Sequence, residues 1–187
     1  MTKTISFDVD GDGVALLTID QKDNSMNLVN EQFLLDLDAC VDKVLNDDAI
    51  KGAVITSGQP HNFMAGADLN MLASFSGDDS VTPEAAFERA FAYNAILRKM
   101  ESGGKAPKVL MKEGTKPFVA AVNGLALGGG LELMLACHHR MVADNPKIQL
   151  GLPETQVGLL PGAGGTQRLP RLAGLQMAAQ TITTGKP

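Results

Sequence analysis

The sequence predicts an α/β fold in which helices cross over between the strands of a layered sheet. Short β-branched apolar runs, which are typical of buried strands, alternate with longer stretches of helical periodicity. The predicted strands cover residues 13–19 (GVALLTI), 51–58 and 118–124. With 187 residues, 44% of them hydrophobic, the chain is long enough to bury one sizeable core. We therefore expect one core domain over residues 1–187.

Two long segments have the periodicity of amphipathic helices. The first, NEQFLLDLDACVDKVLND, places its apolar residues on one stripe, and Asn30 at its start is a favourable N-cap. The second covers residues 83–101 and has Pro83 in its first turn, a position that suits proline. The other predicted segments are loops over 74–84 and 102–117, strand pieces within 140–151, and a helix over 172–183.

Charge and composition exclude several classes of function. The net charge of −5 argues against nonspecific binding of nucleic acid, which needs a basic surface. Cys40 and Cys137 lie in apolar segments, so we expect no disulfide framework and a reducing compartment. We also expect no metal site, because the three histidines show no ligand spacing, and no transmembrane segment, because no uncharged apolar run is long enough.

The segment GLALGGGLELMLA, residues 124–136, combines three consecutive glycines with a single acid, Glu132. Glycines between a strand and a helix allow unusual backbone dihedrals and close approach of a ligand. The first N–H groups of a helix lack internal partners and lie at the positive end of its dipole. This junction suits a developing oxyanion or a phosphate. A nucleotide-phosphate loop is the weaker interpretation, because neither glycine motif of that class is present.

A second segment, NFMAGADLNML, follows a predicted strand in the same way. Ala65, Gly66 and Ala67 are small, so a backbone N–H there could also be open to a ligand. One N–H from each segment would form a two-donor oxyanion hole. Asp68 has a structural alternative, which is to cap a helix that starts at Leu69.

A third segment, LGLPETQVGLLPGAGGTQRLPR, contains a second isolated acid, Glu154, followed by a glycine-rich turn. If Glu132 and Glu154 meet beside an apolar pocket, their pKa values could separate and the pair could hold one water. The structural alternatives are a first-turn helix acid for Glu132 and a solvated loop acid for Glu154. Arg168 and Arg171 receive no role from the sequence.

Three motifs, taken together and in order, resemble the crotonase superfamily. They are FMAGADL (63–69), NGLALGGGLELMLACHHRMVAD (123–144) and GLPETQVGLLPGAGGTQRLPR (151–171). The resemblance covers nearly the whole chain and is strongest to enoyl-CoA hydratases. Its details favour the hydratase domain of multifunctional fatty-acid oxidation alpha subunits, which continue into a 3-hydroxyacyl-CoA dehydrogenase. It implies the crotonase fold, a spiral of repeated ββα units.

The resemblance also implies a reaction and the residues that perform it. By motif position, the N–H groups of Ala67 and Gly129 would form the oxyanion hole, and Glu132 and Glu154 would be the catalytic pair. Family members hydrate trans-2-enoyl-CoA, with a water held on the two glutamates. No separate cofactor is expected, because coenzyme A is part of the substrate.

Other positions are implied to bind the coenzyme A moiety. Many hydratases carry a lysine two residues after the aspartate of A-G-A-D, where this chain has Asn70, so the resemblance does not specify the adenine or phosphate contact. The implied substrate-binding residues are Ala65, Gly66, Asp68, Leu69 and, in the loop 22–27, Met26.

The resemblance further implies a context. We expect a chain truncated before a C-terminal helical region and any dehydrogenase domain. We expect the full-length protein to be a homo-oligomer, to associate with a thiolase subunit, and to work in the bacterial cytoplasm or the mitochondrial matrix. The alternatives are an enoyl-CoA isomerase, which needs only the acid at Glu154, and a catalytically weak CoA-binding or assembly module.

Overall fold

The computed structural model describes residues 4–74, 82–103 and 115–187, which form two sheets and a set of covering helices. The first sheet has five strands in the order β1-β2-β3-β5-β7, and the second has three in the order β4-β6-β8. Pairing is parallel throughout except between β1 and β2. The strands are β1 (Ile5–Val9), β2 (Val14–Ile19), β3 (Gly52–Ser57), β4 (Asn62–Met64), β5 (Phe118–Val122), β6 (Leu125–Leu127), β7 (His139–Val142) and β8 (Leu150–Gly151).

In chain order, pairs of strands are each followed by helical structure, which gives repeated ββα units. From β3 onward, the first strand of each pair joins the five-stranded sheet and the second joins the three-stranded sheet. The helical segments are α1 (Glu31–Asn46), α2 (Leu69–Ser74), α3 (Pro83–Ser102), α4 (Gly129–Ala136), a 3₁₀ turn (Pro153–Val157), α5 (Gly165–Ala173) and α6 (Leu175–Thr184).

The local signals in the sequence agree with these boundaries at several points. Helix α1 begins directly after Asn30, whose side chain accepts a hydrogen bond from the Phe33 N–H at 2.9 Å. Helix α3 begins at Pro83, as the first-turn proline predicts. Strand β1 was not among the predicted strands, although ISFDV alternates apolar and polar residues as a strand does. The helix predicted over 172–183 is interrupted at Gly174, where φ is +85°. Residues 75–81 and 104–114, most of the two predicted loops, lie outside the described residues.

The core lies between the larger sheet and helices α1 and α3. Cys40 and Cys137 are buried thiols within it. The sequence predicts core or acyl-pocket positions for the methionines at 64, 71, 100, 134 and 141. For Met141 this is wrong: it is 70% exposed on the edge strand β7, which among the described residues has a neighbouring strand on one side only. Within the described residues, no helix is long and apolar enough to cross a membrane. The largest fully buried side chains include Phe33, Phe63, Phe118, Leu17, Ile19, Leu37, Ile55, Met100 and Leu133.

Asn27 links the first ββα unit to the loop that follows β4. It is fully buried, accepts from the Gln21 N–H at 2.9 Å, donates to Ser57 Oγ at 2.9 Å, and its carbonyl accepts from the Ala65 N–H at 2.9 Å. We expect Asn27→Ala to lower the free energy of unfolding in urea by about 2–3 kcal/mol, because it leaves buried partners unsatisfied. A loss no larger than that of the exposed Lys22→Ala variant would contradict this role.

Candidate active site

A large cleft of about 1050 Å³ opens beside the N-terminus of α4. Helices α1 and α3 form one wall, and the loop after β4 and the 3₁₀ turn form the other. Most of the side chains that line it are apolar, among them Leu34, Leu72, Ile96 and Leu159. A cleft of this size and lining suits a small molecule with an apolar portion.

The glycine triplet forms the beginning of α4, as the sequence predicts. Gly128 is the N-cap, with φ +52°, and its N–H donates to the Gly151 carbonyl at 2.9 Å. Gly129 is the first helical residue, so its N–H has no acceptor within the helix and lies at the positive end of the dipole. Gly128 and Gly129 both line the cleft.

The second small-residue segment is held against the residue that precedes the α1 cap by a β-bridge between Val29 and Ala67. The Val29 N–H donates to the Gly66 carbonyl at 2.8 Å, and the Asp68 N–H donates to the Val29 carbonyl at 2.9 Å. Because the two neighbours of Ala67 form hydrogen bonds with Val29, the N–H of Ala67 itself points away from Val29. Ala67 lines the same cleft as Gly129.

The two backbone segments pack so closely that side chains would not fit between them. A Cβ on Gly66, where φ is +100°, would lie 3.3 Å from the Leu127 carbonyl oxygen. A Cβ on Gly128 would lie 3.1 Å from Glu154 Oε1 and 3.6 Å from the Gly66 Cα. The carboxyl of Glu154 is therefore in contact distance of the start of α4.

Glu132 occupies the first turn of α4 and is only 2% exposed. Its Oε1 accepts two hydrogen bonds from the backbone, one from Ala163 at 2.8 Å and one from Gly165 at 2.7 Å. Burial raises the pKa of Glu132 from 4.5 to about 7, and the charge of Glu154 acts in the same direction. The two backbone donors and the Arg168 cation oppose that rise.

Glu154 lies in the first turn of the 3₁₀ segment and lines the cleft together with Glu132. Its Oε2 is buried and has no hydrogen-bond partner among the described residues. Burial raises the pKa of Glu154 above its usual range. Each carboxyl is thus easier to protonate than a solvated one, and both face one apolar cleft, an arrangement that suits transfer of a proton at neutral pH.

The raised pKa of Glu132 predicts a pH dependence of stability. Between pH 4.5 and about 7 the folded state retains a proton that the unfolded state loses. The contribution of Glu132 to the free energy of unfolding therefore falls as pH rises through that window. We expect the stability of Glu132→Gln, relative to the parent, to rise across the same window in urea denaturation. A difference that does not change with pH would contradict the burial of an ionisable group.

The remaining predicted substrate-binding residues divide into two groups. Ala65, Gly66 and Leu69 line the cleft. Met26 is 47% exposed and Asp68 caps α2, where its Oδ1 accepts from the Asn70 N–H at 2.8 Å, and neither side chain lines the cleft. Asp68 therefore has the structural role that the sequence left open as its alternative.

Sequence reasoning missed two buried residues that support the site. Tyr93, the only tyrosine in the chain, donates from its hydroxyl to the Gly129 carbonyl at 2.9 Å and is 8% exposed. Arg168 is 8% exposed and pairs with Glu101 through Nε at 2.6 Å. In the sequence, Tyr93 could have been noticed only as a residue of the predicted helix 83–101. Arg168 could have been noticed only because it follows the glycine-rich turn.

Comparison with known proteins decides the family. The family model for enoyl-CoA hydratase/isomerase matches residues 10–187. This chain belongs to the enoyl-CoA hydratase/isomerase family. The resemblance to the crotonase superfamily that the three motifs indicated is thereby confirmed.

Relatives of this enoyl-CoA hydratase/isomerase domain include a fatty acid oxidation complex subunit alpha from Idiomarina loihiensis. It is 42% identical over 184 residues, which are 98% of this chain and 24% of the relative. The chain thus spans about a quarter of the length of that relative.

The predicted crotonase fold is confirmed by solved structures. An enoyl-CoA hydratase from Bacillus anthracis is 30% identical with a TM-score of 0.78, covering 97% of this chain and 62% of that one. The human mitochondrial delta3-delta2-enoyl-CoA isomerase is 25% identical, also with a TM-score of 0.78, covering 97% and 64%. Family members of this fold therefore include both a hydratase and an isomerase.

Proposed function

We propose that this chain adds water across the double bond of a trans-2-enoyl-CoA thioester. The observation that carries the proposal is the convergence of Glu132 and Glu154 in one apolar cleft beside two backbone segments with outward N–H groups. A one-carboxylate site would supply either a base or an acid at a time, whereas this pair can hold a water and serve both ends of the double bond.

The mechanism follows from where charge develops. The N–H groups of Ala67 and Gly129 donate to the thioester oxygen as it gains enolate character. One carboxylate of the pair takes a proton from water while the water oxygen bonds to the β-carbon. The other carboxyl, protonated at the outset, gives its proton to the α-carbon. A proton then passes between Glu132 and Glu154, so that one water is added in total and both groups return to their initial states.

The proposed substrate is an acyl-CoA thioester, and the proposed reaction needs no separate cofactor. The acyl chain occupies the apolar part of the cleft, and coenzyme A arrives as part of the substrate. The coenzyme A moiety runs along Ala65, Gly66 and Leu69. The exposed loop that contains Met26 and the cap at Asp68 border this path without lining the cleft.

We further propose a context from the relatives. The Idiomarina loihiensis protein is named for a fatty acid oxidation complex, and this chain spans 24% of it. In a longer protein of that kind, the chain supplies the hydration step of fatty-acid β-oxidation. The assembled enzyme is a homo-oligomer that associates with a thiolase subunit, in the bacterial cytoplasm or the mitochondrial matrix.

Absorbance of the conjugated enoyl thioester tests the activity. With trans-2-enoyl-CoA as substrate, we expect absorbance to fall as water adds to the double bond. With a trans-3-enoyl-CoA of equal length, a hydratase alone leaves absorbance unchanged, because that double bond is not conjugated with the thioester. No change of absorbance in either reaction, despite binding of the acyl-CoA, would contradict the proposal and support a binding module.

Isomerisation is the second candidate, and the similarity to the human isomerase favours it. It moves the double bond from position 3 to position 2 and needs one group that removes and returns a proton. Glu154, whose Oε2 is buried and without a partner in the described chain, could do this alone. An increase in absorbance with trans-3-enoyl-CoA that survives Glu132→Gln would identify this activity.

A further inference from the structure

The guanidinium of Arg168 lies in a buried hydrogen-bond network. This network joins α3, α5 and the turn 162–165, which leads into α5. Its Nε and Nη2 donate to the two carboxylate oxygens of Glu101, at 2.6 and 3.0 Å. Its Nη1 donates to the Ala163 carbonyl at 2.6 Å. Arg98 also donates to Glu101, at 2.9 Å, so the acceptor is itself held in place.

The Ala163 carbonyl belongs to the middle one of three successive peptide groups. The peptide before it carries the Ala163 N–H, and the peptide after it carries the Gly165 N–H, and both of these donate to Glu132 Oε1. Arg168 therefore holds the middle peptide of a turn whose outer two peptides hold Glu132. Rotation of that middle peptide would move both donors together.

The glycines of this turn leave room for the contacts. A Cβ on Gly164, where φ is +98°, would lie 2.3 Å from Arg168 Nη1. A Cβ on Gly165 would lie 3.0 Å from Glu132 Oε1. The sequence GAGG therefore brings a guanidinium against one side of the turn and a carboxylate against the other.

We infer that Arg168, anchored by Glu101, is a positioning residue that fixes the turn 162–165 and thereby orients Glu132 toward the reacting water. The inference rests on the proposed hydration, in which Glu132 is one of the catalytic pair. Arg168 does not line the cleft, so it acts on substrate only through that turn. A lysine cannot replace it fully, because one ammonium lacks the fork that reaches Glu101 and Ala163 together.

The electrostatic role of Arg168 gives a second consequence. The charged or titratable groups around Glu132 are Glu154 on the 3₁₀ turn, Arg168 on α5, Tyr93 on α3 and, behind Arg168, Glu101. Arg168 lowers the pKa of Glu132, and so do the donors that it holds in place. With Glu132 as the base toward the reacting water, removal of Arg168 should therefore raise the pKa of Glu132 above about 7 and move the acid limb of the pH profile to higher pH.

The kinetic test compares Arg168→Met and Arg168→Lys with the matched control Arg171→Met, an exposed arginine on the same helix. We expect Arg168→Met to lower kcat roughly 10²-fold with KM unchanged, the size of effect that a misplaced catalytic group produces. Arg168→Lys should restore part of the rate, and Arg171→Met should match the parent. Parent values of kcat and an unmoved acid limb in Arg168→Met would overturn the inference.

A titration of Glu132 tests the same inference without turnover. In protein with ¹³C-labelled glutamate carboxyls, the Glu132 signal is the one missing in Glu132→Gln. We expect its midpoint to rise in Arg168→Met and, by a smaller amount, in Glu101→Gln, which serves as the test if Arg168→Met does not fold. An unchanged midpoint in the folded variants would refute the positioning role. Failure of the proposed function is distinct, because the parent would then add no water to the substrate, or Glu132→Gln would hydrate it as fast as the parent.

Discussion

Replacement of Glu132 by glutamine is expected to lower kcat for hydration by about 10²–10⁴-fold. Glutamine keeps the shape of the side chain and can still accept from Ala163 and Gly165, but it cannot take or give a proton. Glu154→Gln is expected to have an effect of similar size, because each carboxyl serves one end of the double bond. The measurement is steady-state hydration of a trans-2-enoyl-CoA, with KM determined in parallel.

The matched control is Glu88→Gln, an exposed carboxyl on α3 that does not line the cleft. It should leave kcat unchanged. The double variant of Glu132 and Glu154 should be little slower than either single variant, because residues that act as a unit are not additive. Retention of more than about a tenth of the parent kcat by Glu132→Gln would contradict a catalytic role of this kind.

Gly130→Ala is expected to lower the free energy of unfolding by more than about 3 kcal/mol. A Cβ at this position would lie 2.2 Å from the Met64 carbonyl oxygen and 2.6 Å from Met64 Cβ. Alanine stabilises a helix by roughly 1 kcal/mol relative to glycine, so the cost of the steric clash must exceed that gain. Relief requires α4 to move away from the end of β4, which separates Gly129 from Ala67.

Urea denaturation measures the stability of Gly130→Ala, and hydration measured below the transition reports on the site. Loss of alignment of one oxyanion donor costs about 10²–10³-fold in kcat. Gly11→Ala is the control, because a Cβ there has nothing within 4 Å. Equal stability of the two variants would show that α4 and β4 are not packed as closely as described.

Much of the fold could be predicted because local signals and tertiary packing agree. The stripe of apolar residues and the Asn30 cap specify α1, and Pro83 specifies the start of α3. Strand β1 was missed although ISFDV alternates apolar and polar residues, because the segment is short and its antiparallel pairing with β2 is not a local signal. Met141 was misplaced for a related reason: nothing local shows that its strand would lie at the edge of the sheet.

The backbone segments of the site could be predicted from the sequence. The contacts that bring its side chains together and hold them could be predicted less well. Glycine runs before an apolar helix indicate a helix N-terminus, and α4 begins there. The meeting of Glu132 and Glu154 depends on how two ββα units stack, which neither segment specifies by itself. Arg168 was unassigned, because its partner Glu101 is remote in sequence and the peptide that it holds is identifiable only in three dimensions.

The most direct test of the central claim is mass spectrometry of the product formed from a trans-2-enoyl-CoA in H₂¹⁸O. Addition of water by the Glu132 and Glu154 pair predicts a 3-hydroxyacyl-CoA that gains the mass of one labelled water, formed by the parent chain and almost absent with either glutamine variant. A product of unchanged mass would mean isomerisation, and label incorporated equally by parent and variants would mean that the carboxylate pair does not catalyse hydration.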